Sequence, residues 1–127
     1  MDSIVHFEIP ATDVKRASTF YSKAFGWQLV QFPGFEYWSI ITTDSEKDGR
    51  PKSPGAINGG MGRKGIMAPQ AVTVTVNVKD IDEALANIKK LGGKQVGTKQ
   101  PVGDMGFSAY FQDTEGNIIG LWQSAGM

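Results

Sequence analysis

The residues that could do acid–base or metal chemistry include a single imidazole, and it stands two positions from a carboxylate near the start of the sequence. The chain holds one histidine, His6, and no cysteine. That removes thiolate nucleophiles, thiolate metal sites and disulfides, along with any site that needs two imidazoles. Residues 4–9, IVHFEI, alternate as a strand, with Val5, Phe7 and Ile9 on one face and His6 and Glu8 on the other. His6 and Glu8 are then ~6–7 Å apart along the backbone, wide for sharing a metal ion. A sheltered carboxylate costs desolvation energy unless it is bonded. Arg63 and Lys64 are its candidate partners, and without one its pKa rises and His6–Glu8 becomes an acid–base pair. The alternative for His6 is a hydrogen-bonded wall residue.

The elements that would carry these groups follow from periodicity. Pro10 ends the first strand, and Thr12 or Asp13 caps a helix with Val14, Ala17, Phe20, Tyr21 and Ala24 at helical spacing before Gly26. Strands are expected over 27–31, 35–42 and 55–61, with the polar loop DSEKDGRPKSP between the last two. After a linker at 62–70 the pattern restarts. Val72, Val74, Val76 and Val78 alternate with polar residues, and Asp80 with Glu83 opens a helix striped by Ile81, Leu85, Ile88 and Leu91. Strands over 94–97, 106–112 and 117–123 close the chain.

The restart is an internal repeat. Asp13 and Asp80, Ala17 and Ala84, Gly26 and Gly93, and Gln28 and Gln95 all lie 67 positions apart. The offset becomes 72 at Phe35 and Phe107, and 61 at Gly55 and Gly116. Two βαβββ copies result, module 1 over 1–61 and module 2 over 71–127, making one domain of α+β class.

Composition narrows the partners. In 127 residues, 13 Lys+Arg balance 13 Asp+Glu, with 40 % hydrophobic and 20 % charged residues. Neutrality argues against nucleic acid or an anionic membrane as partner. No apolar run approaches ~18 residues, and the first residues lack a basic stretch followed by an apolar one. A cytoplasmic protein is expected. INGGMGRKG does not have the phosphate-loop spacing, and one histidine without a GxSxG string speaks against a hydrolase.

With the repeat in place, the chain resembles the vicinal-oxygen-chelate superfamily of glyoxalases, bleomycin-resistance proteins and extradiol dioxygenases. The carriers are VHFEIPATDVKRASTFYSKAFGW, VTVTVNVKDIDEALANIKKLGG and the closing FQDTEGNIIGLWQ. The HFEIP opening and AINGG segment point to its small stand-alone members. The resemblance implies a curved mixed sheet with helices on its convex face, a ligand in the concave cup, and a homodimer.

It also implies four metal-ligand positions, one on the first and one on the last strand of each module. His6 matches the first, and the 67 offset makes Thr73 its counterpart. Gly120 stands where the family carries a ligand glutamate, and the 61 offset assigns Gly59 to the equivalent place. Neither Thr nor Gly serves such a site, and one histidine cannot build the two-His-one-carboxylate face of oxygen chemistry. No cofactor is expected; a divalent metal would need a rescued site with Glu8 or Glu36. The glycines leave either a filled core or a pocket for a small organic molecule. For the pocket, the candidate lining is Trp38, Ile57, Gly59, Met61, Thr73, Thr75, Asn77, Gly120 and Trp122. The expected function is binding such a ligand, with drug sequestration as a variant. The alternatives are a glyoxalase-related lyase or isomerase using His6 and Glu8 or a rescued metal, and a domain that pairs with another protein.

Overall fold

A computed structural model describes residues 1–65 and 69–126. The chain divides into two units, His6–Thr73 and Val74 onward together with Met1–Val5. The expected linker over 62–70 falls partly outside the described residues, and its first two positions are strand.

The N-terminal unit runs β1 (Ile4–Ala11), α1 (Val14–Phe25), β2 (Gln28–Gln31), β3 (Tyr37–Ile41) and β4 (Gly59–Arg63). Its strands are ordered β2-β3-β4-β1, with β1 and β4 parallel and the other neighbours antiparallel. Asp13 caps α1 by accepting from the Arg16 N–H at 3.0 Å. Gly26 closes it at φ 74°, where a side chain would be strained. Ala11, Ile40 and Met61 are buried, and Phe7, Ile9, Val14, Ala17, Tyr21, Trp27, Leu29 and Trp38 pack around them. This is the apolar parity of β1 laid against the helix stripe.

β4 starts four residues later than the glycine-rich pattern suggested. Asn58 explains the delay: its Oδ1 accepts from the Thr42 N–H, and its Nδ2 donates to Ser45 Oγ and the Gly49 carbonyl. A side chain thus takes the place of strand pairing at the end of β3 and closes the polar loop on itself.

The C-terminal unit repeats the plan with β5 (Thr73–Asn77), α2 (Ile81–Lys90), β6 (Lys94–Val102), β7 (Gly106–Gln112) and β8 (Ile118–Ser124). Its order is β5-β8-β7-β6, with β5 and β8 parallel. The division between units falls within β1 and β5, and Ser3 belongs with the C-terminal unit because its carbonyl accepts from the Asn77 N–H at 2.8 Å. Asp80 caps α2 by accepting from Glu83 N–H. Val78, Ile81, Leu85, Ala109 and Leu121 form the core. β6 is longer than expected because an irregularity between Val96 and Gln100 lets pairing resume through Val102. In the DTEGN turn, Asp113 accepts from the N–H groups of Glu115 and Asn117 and from Asn117 Nδ2. These bonds, Asn117's foremost, hold its carboxyl below the ordinary carboxylate range. Among the described residues no helix is long and apolar enough to cross a membrane.

Met61 is fully buried in the core, so Met61→Ala is expected to destabilise the protein by roughly 3 kcal/mol. Urea denaturation of variant and parent measures it; a loss below ~1 kcal/mol would mean that Met61 is not a core residue.

Candidate functional site

The face of the N-terminal sheet turned away from α1 is set by register. Phe7, Glu8, Ile9 and Pro10 of β1 lie beside Gly59, Gly60, Met61 and Gly62 of β4. Across β4, Tyr37, Trp38, Ser39 and Ile40 oppose Gly62, Met61, Gly60 and Gly59. Residues side by side in a ladder share a face. Phe7, Ile9, Trp38, Ile40 and Met61 therefore belong to the core side, and His6, Glu8, Gly60, Gly62, Tyr37 and Ser39 to the other. On that second side β4 contributes only glycines, a strip without side chains between β1 and β3.

Tyr37 crosses the strip. Its O–H donates to Glu8 Oε2 at 2.7 Å, and its oxygen lies 3.0 Å from Nε2 of His6. Gly60 makes the crossing possible, because a Cβ there would overlap the Tyr37 hydroxyl. His6, Tyr37 and Glu8 thus form one hydrogen-bonded row, with Glu8 buried at 6 % exposure and His6 partly buried. Burial pushes the His6 imidazole from its ordinary 6.5 down to about 4, so it is neutral at neutral pH.

The expected pair of His6 and Glu8 does share a face, joined through Tyr37 rather than directly. Tyr37 was missed as a site residue, although strict alternation around the core-facing Trp38 and Ile40 places it opposite them. The cationic partners expected for Glu8 are replaced by this phenol: Arg63 lies 3.5 Å from Glu36 at an exposed position, and the Lys64 N–H donates to the Ala11 carbonyl.

Three expected lining residues lie on the core side instead. Trp38 packs into the core, Met61 is fully buried there, and a Cβ on Gly59 would lie 2.6 Å from the Phe7 ring. The 61 offset came from turn glycines and slipped by one residue. Glu8 pairs with Gly60 and Thr75 with Gly120, and Glu8 and Thr75 are 67 apart. The counterpart of Gly120 is therefore Gly60. Ile57 precedes β4, and its carbonyl accepts from Thr42 Oγ1 at 2.7 Å.

The C-terminal unit has the same two faces. Val76 and Leu121 face the core, which puts Thr75, Asn77, Gly120 and Trp122 on the other side, with Thr75 beside Gly120 and Asn77 beside Trp122. Tyr110 and Ser108 of β7 oppose Gly120 and Trp122 and complete that face. A Cβ on Gly120 would lie 2.8 Å from Thr75 Oγ1. The Trp122 indole N–H donates to Ser124 Oγ at 3.1 Å. Thr73, in the N-terminal unit, is buried at 4 % exposure.

A metal with three side-chain ligands and an open position does not fit the donors present. His6 and Glu8 are both engaged by Tyr37, and Gly60 and Gly120 supply no side chain. Among the described residues no group of three or more His, Asp or Glu is arranged to hold an ion.

Comparison with known proteins matches residues 3–121 to the model of the Glyoxalase/Bleomycin resistance protein/Dioxygenase superfamily. A glyoxylase-like domain-containing protein of Didymella fabae is 32 % identical over 114 residues, 87 % of this chain and 84 % of that one. Among solved structures, methylmalonyl-CoA epimerase from Mycobacterium tuberculosis aligns with a TM-score of 0.63 at 16 % identity, covering 97 % of this chain and 88 % of the other. A superfamily member from Vibrio splendidus 12B01 aligns at 0.60 and 13 % identity, over 98 % and 99 %. At such identities the structural likeness speaks for the fold alone.

Two outcomes follow from the row. Unfolded His6 takes a proton near 6.5 and folded His6 only near 4, so between these values the unfolded state binds more protons. Stability is full above pH 6.5 and falls as pH drops toward about 4. Urea midpoints from pH 7 to 4 should show this decline, and His6→Gln should flatten it. Gly60→Ala should displace Tyr37 and cost about 1–3 kcal/mol by breaking its hydrogen bonds to Glu8 and His6; an unchanged midpoint would argue against the crossing.

Proposed function

We propose, for a chain that belongs to the Glyoxalase/Bleomycin resistance protein/Dioxygenase superfamily, that it binds a small organic ligand without a metal on the face carrying His6, Tyr37 and Glu8. The observation that carries this reading is the hydrogen-bonded row laid over the glycine strip of β4. The glycine strip lets Tyr37 reach both His6 and Glu8 across β4, and a few fixed polar groups suffice to orient a ligand on such a face. Thr75, Asn77 and Trp122, with Gly120 between them, form the corresponding face of the C-terminal unit and are proposed to contribute in the same way. We read the protein as a homodimer on the strength of the family resemblance alone; sedimentation of the purified chain tests it.

A second reading, a metal-independent isomerase or a related lyase, is favoured by one feature. A proton taken up at the far nitrogen of His6 has a path through Nε2 and Tyr37 to Glu8, so no charge need build on the imidazole. The epimerase among the structural neighbours makes an isomerase-like role reasonable. Proton exchange into methylmalonyl-CoA in deuterated buffer, lost in His6→Ala, would raise this reading to first place.

For the binding reading, a fragment library screened by protein NMR should give hits whose perturbations centre on His6, Tyr37 and Gly60. Tyr37→Phe should weaken those hits roughly tenfold, the equivalent of ~1.4 kcal/mol. Hits that ignore these residues would overturn it.

A further inference from the structure

The hydrogen-bonded row has a direction. A tyrosine hydroxyl carries one proton, and that of Tyr37 goes to Glu8 Oε2. With Glu8 ionised, the phenol oxygen is left to accept from Nε2 of His6, 3.0 Å away, which puts the imidazole proton on Nε2. In a neutral imidazole the other nitrogen, Nδ1, then holds a bare lone pair. The chain's one histidine is thereby set in a single tautomer by a carboxylate two residues along its own strand, acting through a phenol from β3.

Nδ1 is the end of the row left for a ligand. His6 has no hydrogen bond beyond the one to Tyr37 among the described residues, and no buried side-chain nitrogen or oxygen among them lacks a partner. Nδ1 therefore keeps some contact with solvent. We infer that the ligand's polar end is an uncharged hydrogen-bond donor, a hydroxyl or an N–H, received by Nδ1 of His6. The inference rests on the reading that this face binds a small organic molecule. A carboxylate or phosphate would set its own lone pairs against that of Nδ1. Such an anion is rejected by repulsion and by the desolvation it would not recover. Burial adds to the bias, since it opposes the imidazolium that an anion would need.

With one histidine in the sequence, its two ring nitrogens are assigned without ambiguity in long-range 15N–1H spectra. The probe is phenol, with anisole and benzoate as partners that lack the donor or carry the charge. At neutral pH the free protein should show the tautomer protonated at Nε2. Phenol should shift the Nδ1 resonance saturably, and anisole and benzoate should bind at least tenfold more weakly. Tyr37→Phe should release the tautomer into a mixture and weaken phenol about fivefold. A free protein with the proton on Nδ1 would overturn the inference, as would benzoate binding at His6 more tightly than phenol; either result leaves the binding face intact. If none of the three probes perturbs His6, Tyr37 or Gly60, the inference fails. A fragment screen equally silent there takes the binding reading down with it.

Discussion

The hydroxyl of Tyr37 can donate once, and the rest of the candidate site depends on where that proton goes. Donated to Glu8, it gives a buried carboxylate a polar partner, satisfying a group whose burial would otherwise be costly. It also leaves the phenol oxygen to accept from His6, and so bears on which imidazole nitrogen carries the proton. Two residues that alternation places on one strand face thus act as one unit. The third member comes from a strand that is not adjacent to theirs.

That arrangement needs β4 to be narrow. Gly60 and Gly62 hold β4 between β1 and β3 while giving no side chain to the polar face. The core face of the same strands is filled: Met61, Ile40 and Ala11 are buried, and Phe7 lies where a Gly59 side chain would go. Glycine therefore serves opposite ends on the two faces, admitting the Phe7 ring on one side and the Tyr37 hydroxyl on the other. The C-terminal unit repeats the device at Gly120, next to Thr75. There the position equivalent to Glu8 is a threonine, so the two units share a backbone plan and differ in polar chemistry.

Much of the architecture was legible from local chemistry. The caps at Asp13 and Asp80, the stop at Gly26 and the alternation of β1, β5 and β8 depend on a few neighbouring residues. The 67-residue offset is constant from Asp13 and Asp80 through Gln28 and Gln95, because the stretch from helix cap to next strand has the same length in each copy. Residues past the polar loop were harder to place. There the offset was carried by turn glycines, and the side-chain bonds of Asn58 moved the start of β4. A slip of one residue reverses every face assignment in a strand. It sent Gly59 and Met61, which belong to the core, to the ligand side in the sequence reading.

The sequence by itself determined the fold class, the two copies, the opposite faces of β1 and the scarcity of imidazole and thiolate groups, since a single histidine and no cysteine are matters of composition. Only the tertiary structure decided that Tyr37 joins His6 to Glu8, that Gly60 rather than Gly59 lies beneath it, and that Trp38 packs inward. These outcomes depend on the register between strands separated by long loops, which no local pattern specifies. They also depend on the reach of one side chain across a strand that has none on that face.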